Sequence, residues 1–262
     1  MKKIVLGMIA TVACTSFLTA CSSVNDPAQN YKGESEQQIY DRGKAALQDK
    51  SFSEATKRFE ALDVQYPYGD STEKAEFYII YSYYMQEEYA LASSAADRFI
   101  RTYPTNPHVD YAYYMRGLSD YYQNLGVVER LFKLDLATRD LTQIQKSYQS
   151  FNELVTRYPD SAYAPAAHQY LVYLRNVLAD HELHVAEYYY SRKAYVAAAN
   201  RASNVVAHYD GAPTVPEALV LMAQSYKKLN MTTQLNETMR VIQYNYPNIK
   251  VNFDQRYRPS ED

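Results

Sequence analysis

A Tyr-Pro step that recurs along the chain constrains the fold more than any other feature of the sequence. It occurs at Tyr66-Pro67, Tyr103-Pro104, Tyr158-Pro159 and Tyr246-Pro247, and Tyr209-Asp210 is a degenerate copy. Successive tyrosines of these steps lie 37, 55, 51 and 37 residues apart. Proline ends a helix because it lacks an N–H and clashes with the preceding turn. The steps therefore predict a repeated helical hairpin with two insertions.

The segments between the steps have the periodicity of amphipathic helices. From Ile39 to Leu62, apolar and small residues recur at steps of three and four. The pattern resembles the tetratricopeptide repeat, whose characteristic small residue, alanine and proline match Gly43, Ala55 and Pro67. The chain has only 7 glycines, which disfavours a turn-dense β-sandwich. The predicted fold is all-α, a superhelical stack of about five tetratricopeptide-like helical hairpins.

The amino terminus has the pattern of a bacterial lipoprotein signal. Lys2 and Lys3 precede an apolar stretch at 4–17 that is too short to span a bilayer and suits a secretory signal. Leu18-Thr19-Ala20-Cys21 then resembles a lipobox. The resemblance implies that Cys21 starts the mature chain as an S-diacylglycerol and N-acyl cysteine, anchored in the outer membrane and facing the periplasm. The alternative is an ordinary signal peptide in which Cys21 is a chance free thiol.

Composition divides the chain into four segments: a signal peptide at 1–20, an acylated flexible tether at 21–33, the repeat domain at 34–249 and a polar tail at 250–262. The repeat domain has insertions near 126–138 and 178–191. The first could bury Leu131 and Phe132 locally or could contact a partner, and the sequence leaves both open. The second lengthens the first helix of the fourth repeat, which we expect to end near Ser191.

The sequence carries no recognisable catalytic or cofactor motif. Phosphate-binding glycine loops, dinucleotide fingerprints and nucleophile elbows are absent, and the net charge of −3 disfavours a nucleic-acid surface. His181 and His184 are three residues apart instead of the four of a zinc-binding helix, so we interpret them as polar surface residues. We therefore predict a protein that is not an enzyme, with no metal, no cofactor and no nucleic-acid partner.

Tyrosine is unusually abundant, at 29 residues, and the repeat register predicts where many of these side chains lie. In tetratricopeptide stacks, the first helix of each hairpin lines an extended concave binding surface. Carried onto repeats one to three, this register gives a candidate peptide-binding groove of Tyr40, Lys44, Lys74, Phe77, Tyr81, Tyr84, Tyr111, Tyr114, Tyr121 and Tyr122. Tyrosine combines an apolar ring with a polar tip, which suits an extended peptide with aromatic side chains. The alternative is that these tyrosines only pack between neighbouring hairpins.

The chain combines a lipobox, five repeats and the block from Phe99 to Leu118. This combination resembles the BamD family, the lipoproteins of the outer-membrane β-barrel assembly machinery. The resemblance covers essentially the whole chain. It implies a scaffold that binds the POTRA region of a BamA-type barrel subunit, other assembly lipoproteins, and carboxy-terminal signals of unfolded outer-membrane proteins. It puts Arg201, from the matched Asn200-Arg201 pair, on the BamA side, with a solvated surface arginine as the alternative. The alternative function is another repeat scaffold, such as a secretin pilotin or a cell-wall coordinating factor.

Overall fold

A computed structural model describes residues 30–125, 136–138 and 140–253, and within these ranges the chain is helical and contains no strand. The helices are α1 (Glu36–Gln48), α2 (Phe52–Gln65), α3 (Thr72–Met85), α4 (Tyr89–Thr102), α5 (Val109–Asn124), a short 3-10 turn (Leu136–Thr138), α6 (Thr142–Arg157), α7 (Ala164–Ser191), α8 (Tyr195–His208), α9 (Val215–Leu229) and α10 (Thr232–Asn245). They form two compact units, Met1–Glu76 and Phe77–Asp262. The prediction of an all-α fold is confirmed.

The two helices of a hairpin are joined by a turn that contains one left-handed residue. Lys50, Glu87, Lys193 and Asn230 have φ values of 57°, 61°, 61° and 58°. The N–H of the following residue donates to the carbonyl oxygen five residues earlier, at 2.8–3.0 Å. This is the hydrogen bond that closes a Schellman-type helix end. Four of the hairpins that the structure describes therefore share one turn geometry.

The Tyr-Pro steps end the second helix of each hairpin in a single geometry. The five tyrosines have φ between −121° and −136° and ψ between 45° and 61°. Their carbonyl oxygens each accept a hydrogen bond from the N–H three residues later, at 2.9–3.1 Å. Tyr209 adopts this geometry although Asp210 replaces the proline, which confirms that it is a copy of the same step.

In the first compact unit, α1 and α2 pack around a close contact at Gly43. A Cβ atom on this residue would lie 2.6 Å from Cε1 of Phe59, so the ring can occupy this place only beside a glycine. Phe59 and Ile39 are fully buried. The Glu36 carboxylate accepts a hydrogen bond from the N–H of Ser71 at 2.6 Å, which fixes the segment before α3 against the start of α1.

In the second compact unit, each helix from α4 to α10 packs against the next along the chain. Phe99, Phe151 and Leu174 are fully buried on α4, α6 and α7. Gly117 and Ala198 lie at close helix contacts, as expected of the characteristic small residue and alanine of the repeat. A Cβ atom on Gly117 would lie 2.7 Å from Cε1 of Phe151, and Ala198 is fully buried.

Helix α7 absorbs the second insertion. It has 28 residues, whereas α6 has 16 and α8 has 14, and it ends at Ser191 as expected. The 3-10 turn packs beside it, because the carbonyl oxygen of Ala137 lies 2.6 Å from Nδ1 of His181. His181 is therefore half-buried and bonded instead of being a free surface residue. Leu131 and Phe132 lie outside the described residues.

The start of the predicted polar tail is part of the folded structure. Val251 and Phe253 pack against the core formed by α7 to α10. The carbonyl oxygen of Asn252 accepts a hydrogen bond from Nε2 of Gln224 at 2.6 Å. The second compact unit is therefore ordered at least as far as Phe253.

Candidate functional site

Of the groove residues predicted in the first compact unit, one is a packing residue and two are exposed cations. Tyr40 is only 9% exposed, and its ring centroid lies 6.2 Å from that of Phe59. Nζ of Lys44 lies 5.7 Å from the centre of the Tyr40 ring, a cation–π contact. Lys74 is exposed near the start of α3. In this unit the predicted groove thus offers ammonium groups instead of aromatic faces.

In the second compact unit, the predicted aromatic residues lie together and are joined by further tyrosines. We call the tyrosine surface the side chains of Phe77, Tyr81, Tyr84, Tyr111, Tyr114, Tyr121 and Tyr122 on α3 and α5, with Tyr163, Tyr170 and Tyr173 at the start of α7 and along it. All of them are half-buried except Tyr173, which is 44% exposed. The structure therefore brings together every aromatic residue that the register assigned to this unit.

Ring contacts connect α3 with α5. The centroids of Phe77 and Tyr111 lie 4.6 Å apart, and those of Tyr84 and Tyr122 lie 6.0 Å apart with the rings edge to face. The phenol of Tyr81 is close enough to contribute to the raised pKa of Tyr111, after burial and Tyr163. Such tilted and edge-on pairs are favourable aromatic geometries.

Ring contacts also connect α5 with α7, through residues that the sequence argument missed. Tyr114 stacks on Tyr163 with centroids 5.1 Å apart. Tyr121 meets Tyr170 at 5.5 Å and Tyr173 at 6.0 Å. The predicted groove covers only repeats one to three, so it does not include the α7 residues. Their spacing of seven and three residues places them on one helical face, a signal that was available in the sequence.

Four phenols of this surface are neutral at physiological pH. Burial raises the pKa of Tyr84, Tyr111, Tyr121 and Tyr170 well above the ordinary value of tyrosine, and neighbouring phenols raise it further. Neutral phenols cannot serve as bases at pH 7, but their hydroxyl groups both donate and accept hydrogen bonds. The surface therefore offers apolar ring faces together with uncharged hydrogen-bonding groups.

The opposite face of α5 holds a polar cavity of about 340 Å³. At its centre Arg116 donates from Nε to Oγ of Ser150 at 2.9 Å, from Nη1 to Asp97 at 3.0 Å, and from Nη2 to Glu153 at 2.9 Å. Because these acceptors lie on α4 and α6, the guanidinium ties three helices together. The partners of this cation lie within the chain, so we interpret the cluster as structural.

Arg201 lies on α8 and is paired within the chain. Its Nη1 lies 3.0 and 3.1 Å from the two carboxylate oxygens of Glu182 on α7. The hydrogen bond to Glu182 is the main reason that the pKa of Arg201 is raised above its usual value. The side chain is 46% exposed, so a partner can still reach it. Its role at a partner interface stays a prediction.

Cys21 lies outside the described residues, so its lipidation also stays a prediction. In the part of the chain that the structure describes, no helix has the length and apolar character needed to cross a membrane. The same residues contain no group of three His, Cys, Asp or Glu side chains that could hold a metal ion.

Known proteins are similar to this chain over most of its length. A family model described as outer membrane lipoprotein, YfiO, matches residues 32–241. The outer membrane protein assembly factor BamD of Neisseria meningitidis serogroup B is 34% identical over 250 residues, which cover 94% of this chain and 92% of that protein. The proteins of the same name from Pasteurella multocida and Vibrio cholerae are 34% and 32% identical. They match 89% and 88% of this chain, and 89% and 94% of their own lengths.

Proposed function

The chain belongs to the YfiO/BamD family of outer membrane lipoproteins, and from this premise we propose that it is a scaffold and client-recognition subunit in outer membrane protein assembly. Its relatives are named outer membrane protein assembly factors, and the similarity extends over nearly the whole of each chain. The observation that carries the proposal is the tyrosine surface, a continuous set of aromatic rings on three helices of one compact unit.

The proposed clients are the carboxy-terminal signals of unfolded barrel proteins. A strand that awaits insertion is extended, and its side chains point alternately to opposite sides. Aromatic side chains on one side of such a strand would lie against the tyrosine surface, while the neutral hydroxyl groups bond to its backbone. Lys44 and Lys74, which belong to the first compact unit, are separate candidates for attracting a carboxylate. Several shallow contacts give a modest affinity, which suits a factor that must release its client.

The proposed location is the periplasmic side of the outer membrane. The lipobox that ends at Cys21 supports a diacylglycerol thioether and an acylated amine on the mature chain. Stable anchoring needs two membrane-binding signals, and three acyl chains exceed that requirement. The tether at 21–33 then gives the helical units freedom to reach their partners.

The proposed partners are a BamA-type barrel subunit, bound through its POTRA region, and other assembly lipoproteins. Arg201 is our candidate for the barrel-subunit contact because its guanidinium is exposed and already bonds a carboxylate. A carboxylate of the partner could join or replace Glu182, since charge-assisted hydrogen bonds of this kind are strong.

Affinity purification of the full-length, tagged chain from gently solubilised membranes tests this function. We expect it to recover a BamA-type barrel subunit and unfolded barrel proteins. Recovery of a secretin, or of no stable partner, would contradict the proposal, and the former would favour a pilotin.

The same experiment with Arg201→Glu tests the interface. We expect loss of the barrel subunit, because the substitution reverses the charge. Arg42→Glu is the matched control, since Arg42 is also exposed and paired, with Glu34 at 2.8 Å. Unchanged recovery with Arg201→Glu would remove this residue from the interface.

A further inference from the structure

The three α7 residues of the tyrosine surface differ in how firmly they are built into the core. Tyr163 stacks on Tyr114, and Tyr170 stacks on the buried ring of Phe151, with centroids 4.9 Å apart and planes at 12°. Tyr173 is 44% exposed, and its ring and that of Tyr121 pack edge to face with centroids 6.0 Å apart. Two of the three are therefore packing residues, and Tyr173 is the one with an accessible face.

Tyr173 is held in position although it is exposed. Its ring packs edge to face, at 86°, with the ring of Tyr121, a partner that is itself half-buried on α5. It lies three residues after Tyr170, so the same face of α7 carries both rings. A ring that is fixed before binding loses little conformational freedom when a ligand covers it. The exposed ring is thus suited to contact a ligand.

We propose that α7 supplies a third segment of the client-binding surface, centred on Tyr173, which binds the part of an extended client that lies upstream of the residues held by α3 and α5. This inference rests on the proposed function, and it specifies how long a peptide the surface recognises. The ligand chemistry is that of an unfolded strand with aromatic or large apolar side chains at alternate positions.

Helix spacing gives the length of client that each segment can hold. Packed helices lie roughly 8–10 Å apart, so α3 and α5 together span about 10 Å, and the addition of α7 extends the span to about 20 Å. An extended strand rises about 3.3 Å per residue. Contact with α3 and α5 therefore needs roughly three residues, whereas contact that includes α7 needs roughly six.

Peptide length and the Tyr173 ring should therefore act together. The test uses two fluorescent peptides with the same last four residues, which end in phenylalanine with a free carboxylate. One peptide has only these four residues, and the other has eight with alternating aromatic side chains. Fluorescence anisotropy gives the affinity of each for the detergent-solubilised full chain and for its Tyr173→Ala variant. Tyr188→Ala is the matched control, because Tyr188 is also on α7 and is 56% exposed but is not part of the tyrosine surface.

We expect Tyr173→Ala to lower the affinity for the eight-residue peptide by about three- to tenfold. This is the fold-change that corresponds to one aromatic pair. The four-residue peptide should bind the variant as it binds wild type, and Tyr188→Ala should change neither affinity. Tyr173→Phe should behave almost as wild type because it keeps the ring.

Two results would overturn the inference while leaving the proposed function intact. One is an unchanged affinity of the eight-residue peptide for Tyr173→Ala, and the other is an equal loss for both peptides. If wild type binds neither peptide, the proposed function fails and this inference fails with it.

Discussion

Gly117 determines how closely α5 can approach α6. A methyl group at this position would lie 2.7 Å from Cε1 and 2.8 Å from Cζ of Phe151, a ring that is fully buried and cannot move into solvent. We expect Gly117→Ala to lower the free energy of unfolding by about 1–3 kcal/mol, the usual cost of overpacking a core. Thermal or urea unfolding of the variant measures this difference.

A second variant separates this steric clash from the better helix propensity of alanine. Phe151→Leu removes the atoms that Gly117→Ala would strike, so the two substitutions should be less destabilising together than the sum of their separate effects. If Gly117→Ala leaves the unfolding midpoint unchanged, α5 and α6 do not make a close contact between Gly117 and Phe151.

The buried phenols make stability depend on alkaline pH. In Tyr84 and Tyr121 burial raises the pKa of the folded chain above the ordinary value of 10.0. The folded state therefore keeps a proton that the unfolded state loses, so stability is fully present below pH 10 and falls as the pH rises above it. We expect the unfolding temperature to drop as the pH rises above about 10.

Phenylalanine variants show which residues cause this pH dependence. Tyr84→Phe combined with Tyr121→Phe should show a smaller drop, because two of the buried ionisable groups are gone. Tyr244→Phe is a suitable control, since Tyr244 is 88% exposed. A drop of the same size in the double variant and in wild type would show that these two phenols do not contribute.

At the scale of the helical elements, the hairpin turns contain avoidable backbone strain. Lys193 has a φ of 61°, a conformation that disfavours residues with a Cβ and is open to glycine. We expect Lys193→Gly to raise the free energy of unfolding by about 0.5–1 kcal/mol, despite the greater freedom of glycine in the unfolded chain. Lys193→Val should lower it, because a β-branched side chain fits this region poorly.

The matched control is a glycine at a helical position. Lys44 is also an exposed lysine but lies within α1, so Lys44→Gly should destabilise by about 1 kcal/mol. Equal effects of glycine at both positions would contradict the left-handed geometry of the turn.

The sequence predicted those elements whose signal is local. The Tyr-Pro steps predict the helix ends, and the small residue of the repeat predicts the close contact at Gly43, because helix termination and close packing depend on individual residue types. The position of Tyr40 was harder to predict, since its burial against Phe59 depends on the way that α1 and α2 pack. The sequence places Val251 and Phe253 in a polar tail, because they are isolated apolar residues among polar ones and their packing is a tertiary contact.

The candidate site was predicted in part for the same reason. The register gave the aromatic residues of α3 and α5, because both helices follow the regular repeat. It does not reach Tyr173, because this residue lies beyond the three repeats from which the groove is predicted. The pairing of Arg201 with Glu182 was also not predictable, since the two residues come from different helices and their register depends on the length of α7.

At the scale of the whole molecule, we predict a lipid anchor at Cys21. Cys21→Ser should abolish acylation, because the thioether needs the cysteine sulfur. Metabolic labelling with a fatty-acid analogue measures this directly. Cys14→Ser is the control, since Cys14 lies within the predicted signal peptide and its substitution should leave labelling unchanged. Persistent labelling of the Cys21→Ser variant would contradict the lipobox assignment.

We also expect clients and the barrel subunit to bind to different surfaces of the molecule. The tyrosine surface lies on α3, α5 and α7, whereas Arg201 lies on α8. Removing rings from the tyrosine surface should therefore leave binding of the barrel subunit unchanged. Retained binding of the barrel subunit also shows that a variant is folded, which makes a loss of client binding interpretable.

The most direct test of the central claim is the affinity of an aromatic-ended barrel peptide for the Tyr81→Ala, Tyr114→Ala double variant, measured by fluorescence anisotropy. Each ring contributes about 0.5–1.5 kcal/mol beyond the area that it buries, so we predict roughly a five- to hundredfold loss of affinity. Tyr244→Ala should bind the peptide as wild type does, and the double variant should still bind the barrel subunit. Equal affinity of the peptide for wild type and the double variant would mean that these tyrosines only pack between hairpins and that clients bind elsewhere.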